Sequence, residues 1–125
     1  MKVLGIVWMG TRSERFFDMA SFFERTLGLT PSSSSDGYNE YTLPNADRVA
    51  LFSADDDSSG ELTTGPVPGF LVSDIAAAID ELRAAGIELI GELQRRGGYS
   101  WQHFRAPDGN VYELVEDRRR VGTVG

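Results

Sequence analysis

Two side chains near the end of the chain could anchor a polar ligand or move a proton together: His103 and Glu113. Glu113 sits inside Val111-Tyr112-Glu113-Leu114-Val115, a strand-like apolar run. Burying a carboxylate is costly unless something pairs it, so its position needs a reason. Either it faces water with a structural hydrogen bond, or it lines a cavity. His103 is the only histidine; lone histidines are commonly structural or exposed. Between the two lies Pro107-Asp108-Gly109-Asn110, whose residue types suit a sharp reversal. If residue 106 pairs with 110, strand alternation sets His103 directly opposite Glu113. Trp101, Arg105, Val111 and Val115 then share their face, while Phe104, Tyr112 and Leu114 face the helices. Such a pair could bind an anionic or hydroxylated ligand, or serve as acid and base.

The elements that hold this hairpin occur twice. Apolar runs at Val3–Met9 and Val67–Val72 each lead into a helix. The first helix opens near Ser13 and stops at Gly28; the second opens at Ser73 or Asp74 and stops at Gly86. Phe16, Met19, Ala20, Phe23 and Leu27 follow helical spacing, as do Ile75, Ala78, Ile79 and Leu82. Short strands follow, Leu29–Ser33 and Ile87–Gln94, and a hairpin closes each half. Tyr38–Pro44 lines up with Trp101–Pro107, and Val49–Phe52 with Val111–Leu114, which makes the first turn one residue longer. The chain therefore reads as two β-α-β-β-β modules, 1–53 and 67–118, with a polar linker at 54–66 and a tail at 119–125. The fold class expected is α+β, with the modules forming a cupped mixed sheet, helices outside and a concave cleft inside.

Composition narrows the function. A chain of 125 residues with 41% hydrophobic and 25% charged residues fits one compact domain. A net charge of −7 and no basic patch argue against nucleic acid as partner. Arg118-Arg119-Arg120 reads as a solvated run. There is no cysteine, so thiolate chemistry and disulfides are excluded. No segment has the length of a membrane span or the pattern of a signal peptide, and the expected location is cytoplasmic. Asp55-Asp56-Asp57 lacks the spacing of an EF-hand, Gly97-Gly98 opens no helix, and no Gly-x-Ser-x-Gly element is present.

The closing segment FRAPDGNVYELVE, the preceding SDIAAAIDELRAAGIEL and FFERTLGL in the first half resemble the vicinal oxygen chelate superfamily, which includes glyoxalase I, extradiol dioxygenases and bleomycin-resistance proteins. The resemblance spans essentially the whole chain, duplication included. It implies a homodimer. Metal-using members take His, Gln or Glu ligands from the first and last strand of each module. Glu113 matches the last of these positions; the others fall on Gly5, Leu51 and Val67. A register slip would substitute Val3 or Val7 for Gly5, and Gly69 or Leu71 for Val67. None of these binds a metal. The expectation is no metal and no other cofactor.

What remains is a small-molecule binding protein resembling the drug-sequestering members. Its ligand would be walled by Trp8, Trp101 and Tyr38 and fixed by His103, Arg105 and Glu113. Two alternatives stand beside it: a metal-independent lyase or isomerase using His103 and Glu113 as acid and base, and a structural or regulatory subunit with a collapsed cleft.

Overall fold

The structure, a computed structural model, describes residues 1–120. The part of the expected tail at 121–125 lies outside the described residues. The strands are β1 (Gly5–Ser13), β2 (Pro31–Ser35), β3 (Tyr38–Thr42), β4 (Arg48–Ser53), β5 (Val67–Leu71), β6 (Glu88–Arg96), β7 (Tyr99–Arg105) and β8 (Val111–Asp117). Helix α1 (Phe16–Ser21) continues into a wider π-helical turn, Phe22–Thr26, and α2 spans Ile75–Ala84. The fold class is α+β, and parallel and antiparallel pairings are mixed as the sequence predicts. The chain divides into two compact units. One comprises Trp8–Val67; the other joins Met1–Val7 to the chain from Pro68 onward.

In the N-terminal unit the strand order is β2-β3-β4-β1, with β1 parallel to β4. One face packs on α1 through Phe23, Tyr41, Val49 and Leu51, with Met9, Phe16 and Met19 beside them. Phe23 meets Tyr41 edge-on, ring centroids 5.5 Å apart. Strand β1 runs on to Ser13, where the sequence predicts the helix start; Ser13 Oγ instead accepts the Arg15 N–H just before α1. Gly28 ends the helical segment at φ 75°, a conformation that suits glycine.

The Tyr41 ring is fully buried, and its hydroxyl donates to Glu24 at 2.9 Å and accepts from Asn39 at 3.2 Å. Burial pushes the phenol above its ordinary value; the Asn39 hydrogen bond opposes this, and the Glu24 carboxylate adds to it. Below about pH 10 the phenol is protonated in both folded and unfolded chains. Above that the unfolded chain ionises first, so stability falls until Tyr41 itself ionises at its raised value. Urea midpoints measured from pH 8 upward are expected to drop more steeply for the native chain than for Tyr41→Phe. Equal slopes would contradict the assignment.

The two hairpin turns explain how the modules register. Leu43 N–H donates to Asp47 O at 2.7 Å, and Ala106 N–H to Asn110 O at 2.9 Å. Asn45 Oδ1 accepts from Asp47 N–H as Asp108 Oδ1 does from Asn110 N–H. The turns are therefore equal in length, against the sequence expectation. The resemblance is hidden because Ala46 (φ 73°) occupies the left-handed position that Gly109 (φ 86°) fills in the second turn. An L side chain is strained there. Ala46→Gly should stabilise the protein by about 0.5–1 kcal/mol after the entropy of the unfolded glycine is counted. The reading is a higher urea midpoint at unchanged slope.

In the C-terminal unit the order is β1-β5-β8-β7-β6, the first residues of β1 belonging here. Asp74 caps α2, its side chain accepting the Ala77 N–H at 3.1 Å, and Glu116 of β8 accepts the Ile75 N–H at 3.0 Å. Both carboxylates favour the positive end of the helix. Val72, Ile75, Ala78, Ile79, Phe104 and Leu114 form the core under α2. Phe70, Tyr112 and Phe104 stack as three nearly parallel rings, neighbouring centroids 5.9 Å apart. The predicted helix-facing residues of the last hairpin are therefore those that pack on α2.

The connector at 54–66 is not wholly solvated: Ser59 and Leu62 are buried. Asp56 caps a short turn, Asp57–Ser59, by accepting the Ser58 N–H. At the other end Arg118 and Arg119 lie against Glu116 and Asp117. Among the described residues no helix is long and apolar enough to cross a membrane.

Candidate functional site

Strands β7 and β8 pair antiparallel with His103 opposite Glu113, Trp101 opposite Val115 and Arg105 opposite Val111. This is the register the PDGN turn predicts. Gly69 of β5 and Ile90 of β6 extend the His103–Glu113 row on either side. The face away from α2 thus carries a carboxylate and an imidazole in a mostly apolar setting. Val7, Leu71 and Val115 cluster beside them, with Leu4 and Tyr99 packed against the cluster. The Trp101 ring lies 5.8 Å from Tyr99, tilted by 48°.

Glu113 is only 2% exposed. Its Oε2 is 3.8 Å from His103 Nε2, an ion-pair distance too long for a direct hydrogen bond. A carboxylate removed from water gains from a positive or hydrogen-donating group placed this close, and a ligand atom can supply further donors. The glycine at position 69 puts no side chain on that row, a feature of strands where another group approaches closely. Arg105 sits at the edge of the same face with two partners: Nη1 donates to Gly109 O at 2.9 Å, and Nε lies 3.4 Å from Glu88. It braces the turn.

Trp8 and Tyr38 belong to the N-terminal unit and to its face away from α1. The Trp8 indole lies across Gly10: a Cβ there would fall 2.0 Å from Cη2, so a side chain at 10 would displace the ring. Tyr38 packs on Phe52, centroids 5.0 Å apart, and donates to Glu40 at 2.6 Å. Arg48 Nη1 is 3.6 Å from the other Glu40 oxygen. Sequence reasoning did not single out Glu40 or Arg48. The signal was present, since Glu40 lies between aromatic residues in Tyr38-Asn39-Glu40-Tyr41 as Glu113 lies among apolar ones.

Pairing also corrects the metal-ligand positions. Gly10 pairs with Ala50 as Gly69 pairs with Glu113, and Ala50 pairs with Glu40 as Glu113 pairs with His103. The counterpart of Glu113 in the first module is therefore Ala50. Leu51 points the other way, into the core under α1. The counterpart of Val67 in β1 is Trp8, two residues before Gly10, rather than Gly5. Neither correction supplies a donor, since alanine and tryptophan do not ligate metals. Among the described residues no three His, Asp or Glu side chains converge. The donor set does not fit the divalent metal that metal-using members hold.

The sequence matches the Glyoxalase/Bleomycin resistance protein/Dioxygenase superfamily over residues 5–114. The chain belongs to that superfamily. No curated protein sequence matches it. Among solved structures, methylmalonyl-CoA epimerase from Mycobacterium tuberculosis is similar at 22% identity and a TM-score of 0.69, over 97% of this chain and 93% of that one. The Streptomyces coelicolor methylmalonyl-CoA epimerase in complex with 2-nitronate-propionyl-CoA is similar at 18% identity and a TM-score of 0.67, over 94% and 99%. The Mn(II)-bound glyoxalase from Novosphingobium aromaticivorans is similar at 20% identity and a TM-score of 0.72, over 93% of this chain and 40% of that one. At these identities the likeness is one of fold.

Proposed function

We propose that this superfamily member binds a small organic molecule, without a metal, on the face of the C-terminal unit away from α2. Glu113 and His103 fix the polar groups of the ligand, Trp101 supplies a flat apolar wall, and Arg105 borders the site. Trp8 and Tyr38 are the aromatic ligand-binding candidates of the N-terminal unit's own helix-free face. The observation that carries the reading is the Glu113 carboxylate, 2% exposed and opposite an imidazole, on the side of the sheet that does not pack on α2. The lack of donor residues at the matching positions supports metal independence. Relatives that hold coenzyme A esters support a small-molecule ligand. The protein in this reading is a cytoplasmic homodimer, assembled through the first helix, where Phe17 is 84% exposed and Phe22 and Leu27 are also exposed.

A thermal-shift screen of aromatic, peptide, sugar-bearing and acyl-thioester compounds on chelator-treated protein tests the binding. Stabilisation by one class, lost in Glu113→Gln, is expected. No stabilisation by any class would overturn the reading.

The second reading, a lyase or isomerase, draws on the 3.8 Å His103–Glu113 separation, which lets the two share a substrate proton. Given a turned-over substrate, His103→Ala and Glu113→Gln should each lose about a hundredfold or more in rate. Retained turnover in both would eliminate it.

A further inference from the structure

The opposite side of the C-terminal unit holds a groove of about 270 Å³ between α2 and β6. It forms where the β6–β7 register shifts between Ile90 and Gln94, with Gly91 at φ 69°. That bulge turns the backbone away from the ladder and opens the space. Ile79 and Leu93 give it apolar walls, and Asp80, Arg83 and Glu92 stand around it.

Gln102 also lines it, 2% exposed. Its Nε2 points into the bulge and donates to Ile90 O, Gly91 O and His103 O at 3.0–3.1 Å. Three carbonyl acceptors fix the orientation of the amide, since a flipped oxygen would face them all. Its Oε1 accepts no hydrogen bond from the described residues, yet it is not sealed from solvent. An amide oxygen with no donor from the protein takes one from the space it opens onto, whether water or a ligand. The groove is where that donor can enter. Arg83 is engaged 3.5 Å from Asp80, which leaves the Glu92 carboxylate as the uncompensated charge at the groove.

We propose that this groove is a second binding site, for a small primary ammonium ion with a short alkyl body. Its N–H groups meet Gln102 Oε1 and the Glu92 carboxylate, and its carbon chain lies along Ile79 and Leu93. The volume is below that of sites for drug-sized ligands, so the occupant is small. The site is separate from the Glu113 face, because Gln102 and His103 are adjacent on β7 and point to opposite sides of it.

The test is a ¹H–¹⁵N titration of the full chain with n-propylammonium chloride, up to about 50 mM, where a millimolar site is saturated. Sodium butyrate at equal ionic strength is the control. Saturating shifts are expected at the Gln102 side-chain amide, Gly91 and Leu93 with the ammonium salt alone. Glu92→Gln, an exposed substitution, should weaken the affinity about twofold to fivefold. Ala76→Trp, on the exposed side of α2 and lining the groove, should abolish the shifts while the spectrum stays dispersed. No saturation would mean that the groove holds only solvent, and would overturn the proposal. So would equal shifts with butyrate, or unchanged affinity in either folded variant.

Discussion

Glu113→Gln should weaken ligand binding substantially and leave the ligand-free protein as stable as the native chain, or more stable. The carboxylate is almost wholly removed from water, beside an imidazole 3.8 Å away. Desolvating a charge costs several kcal/mol, which an imidazole at that distance offsets only in part. The amide has nearly the same shape and carries no charge, so the apo fold is relieved by about 1 kcal/mol. Ligand binding loses a charge-assisted hydrogen bond, which weakens it by about tenfold to a hundredfold. Urea unfolding and ligand titration on the same two proteins give both readings. A loss of more than about 2 kcal/mol in the apo protein would mean that Glu113 is retained for stability, since large losses come from broken structural contacts.

Leu114→Ala, one residue further on, should do the reverse: destabilise by about 2–5 kcal/mol and leave the helix-free face intact. Leu114 is 1% exposed and packs under α2 with Ile75, Ala78, Ile79 and Phe104. Truncation leaves a void that the stacked Phe70, Tyr112 and Phe104 rings resist filling, because ring stacks repack poorly. For a chain of this length the melting point should fall by about 5–20 °C. If Leu114→Ala costs less than about 1 kcal/mol, the strand register described for β8 is wrong.

The β7–β8 hairpin was legible in the sequence for a physical reason. Pro107, Asp108, Gly109 and Asn110 admit few turn geometries, and one pairing then fixes every side chain by alternation. Helix α2 was legible through Asp74 at its start and Gly86, at φ 76°, past its end. The first module was harder. Ala46 carries the left-handed turn without a glycine, so the turn looked one residue longer and Leu51 was set in the place that Ala50 holds. The chain between Met9 and Phe16 is polar enough to read as a helix cap, yet β1 pairs with β4 as far as Ser13. Glu40 was overlooked because its ion-pair partner, Arg48, comes from the neighbouring strand β4 and only pairing brings the two together. The β6 bulge left no strong mark either, since a lone glycine in a strand pattern is compatible with several distortions.

The most direct test of the account is calorimetric titration of a compound selected by thermal shift into chelator-treated native protein and into Glu113→Gln. The account predicts saturable binding to the native chain without added metal, and binding at least about tenfold weaker to the variant. Binding that requires a divalent cation, or equal affinity in the two proteins, would contradict it.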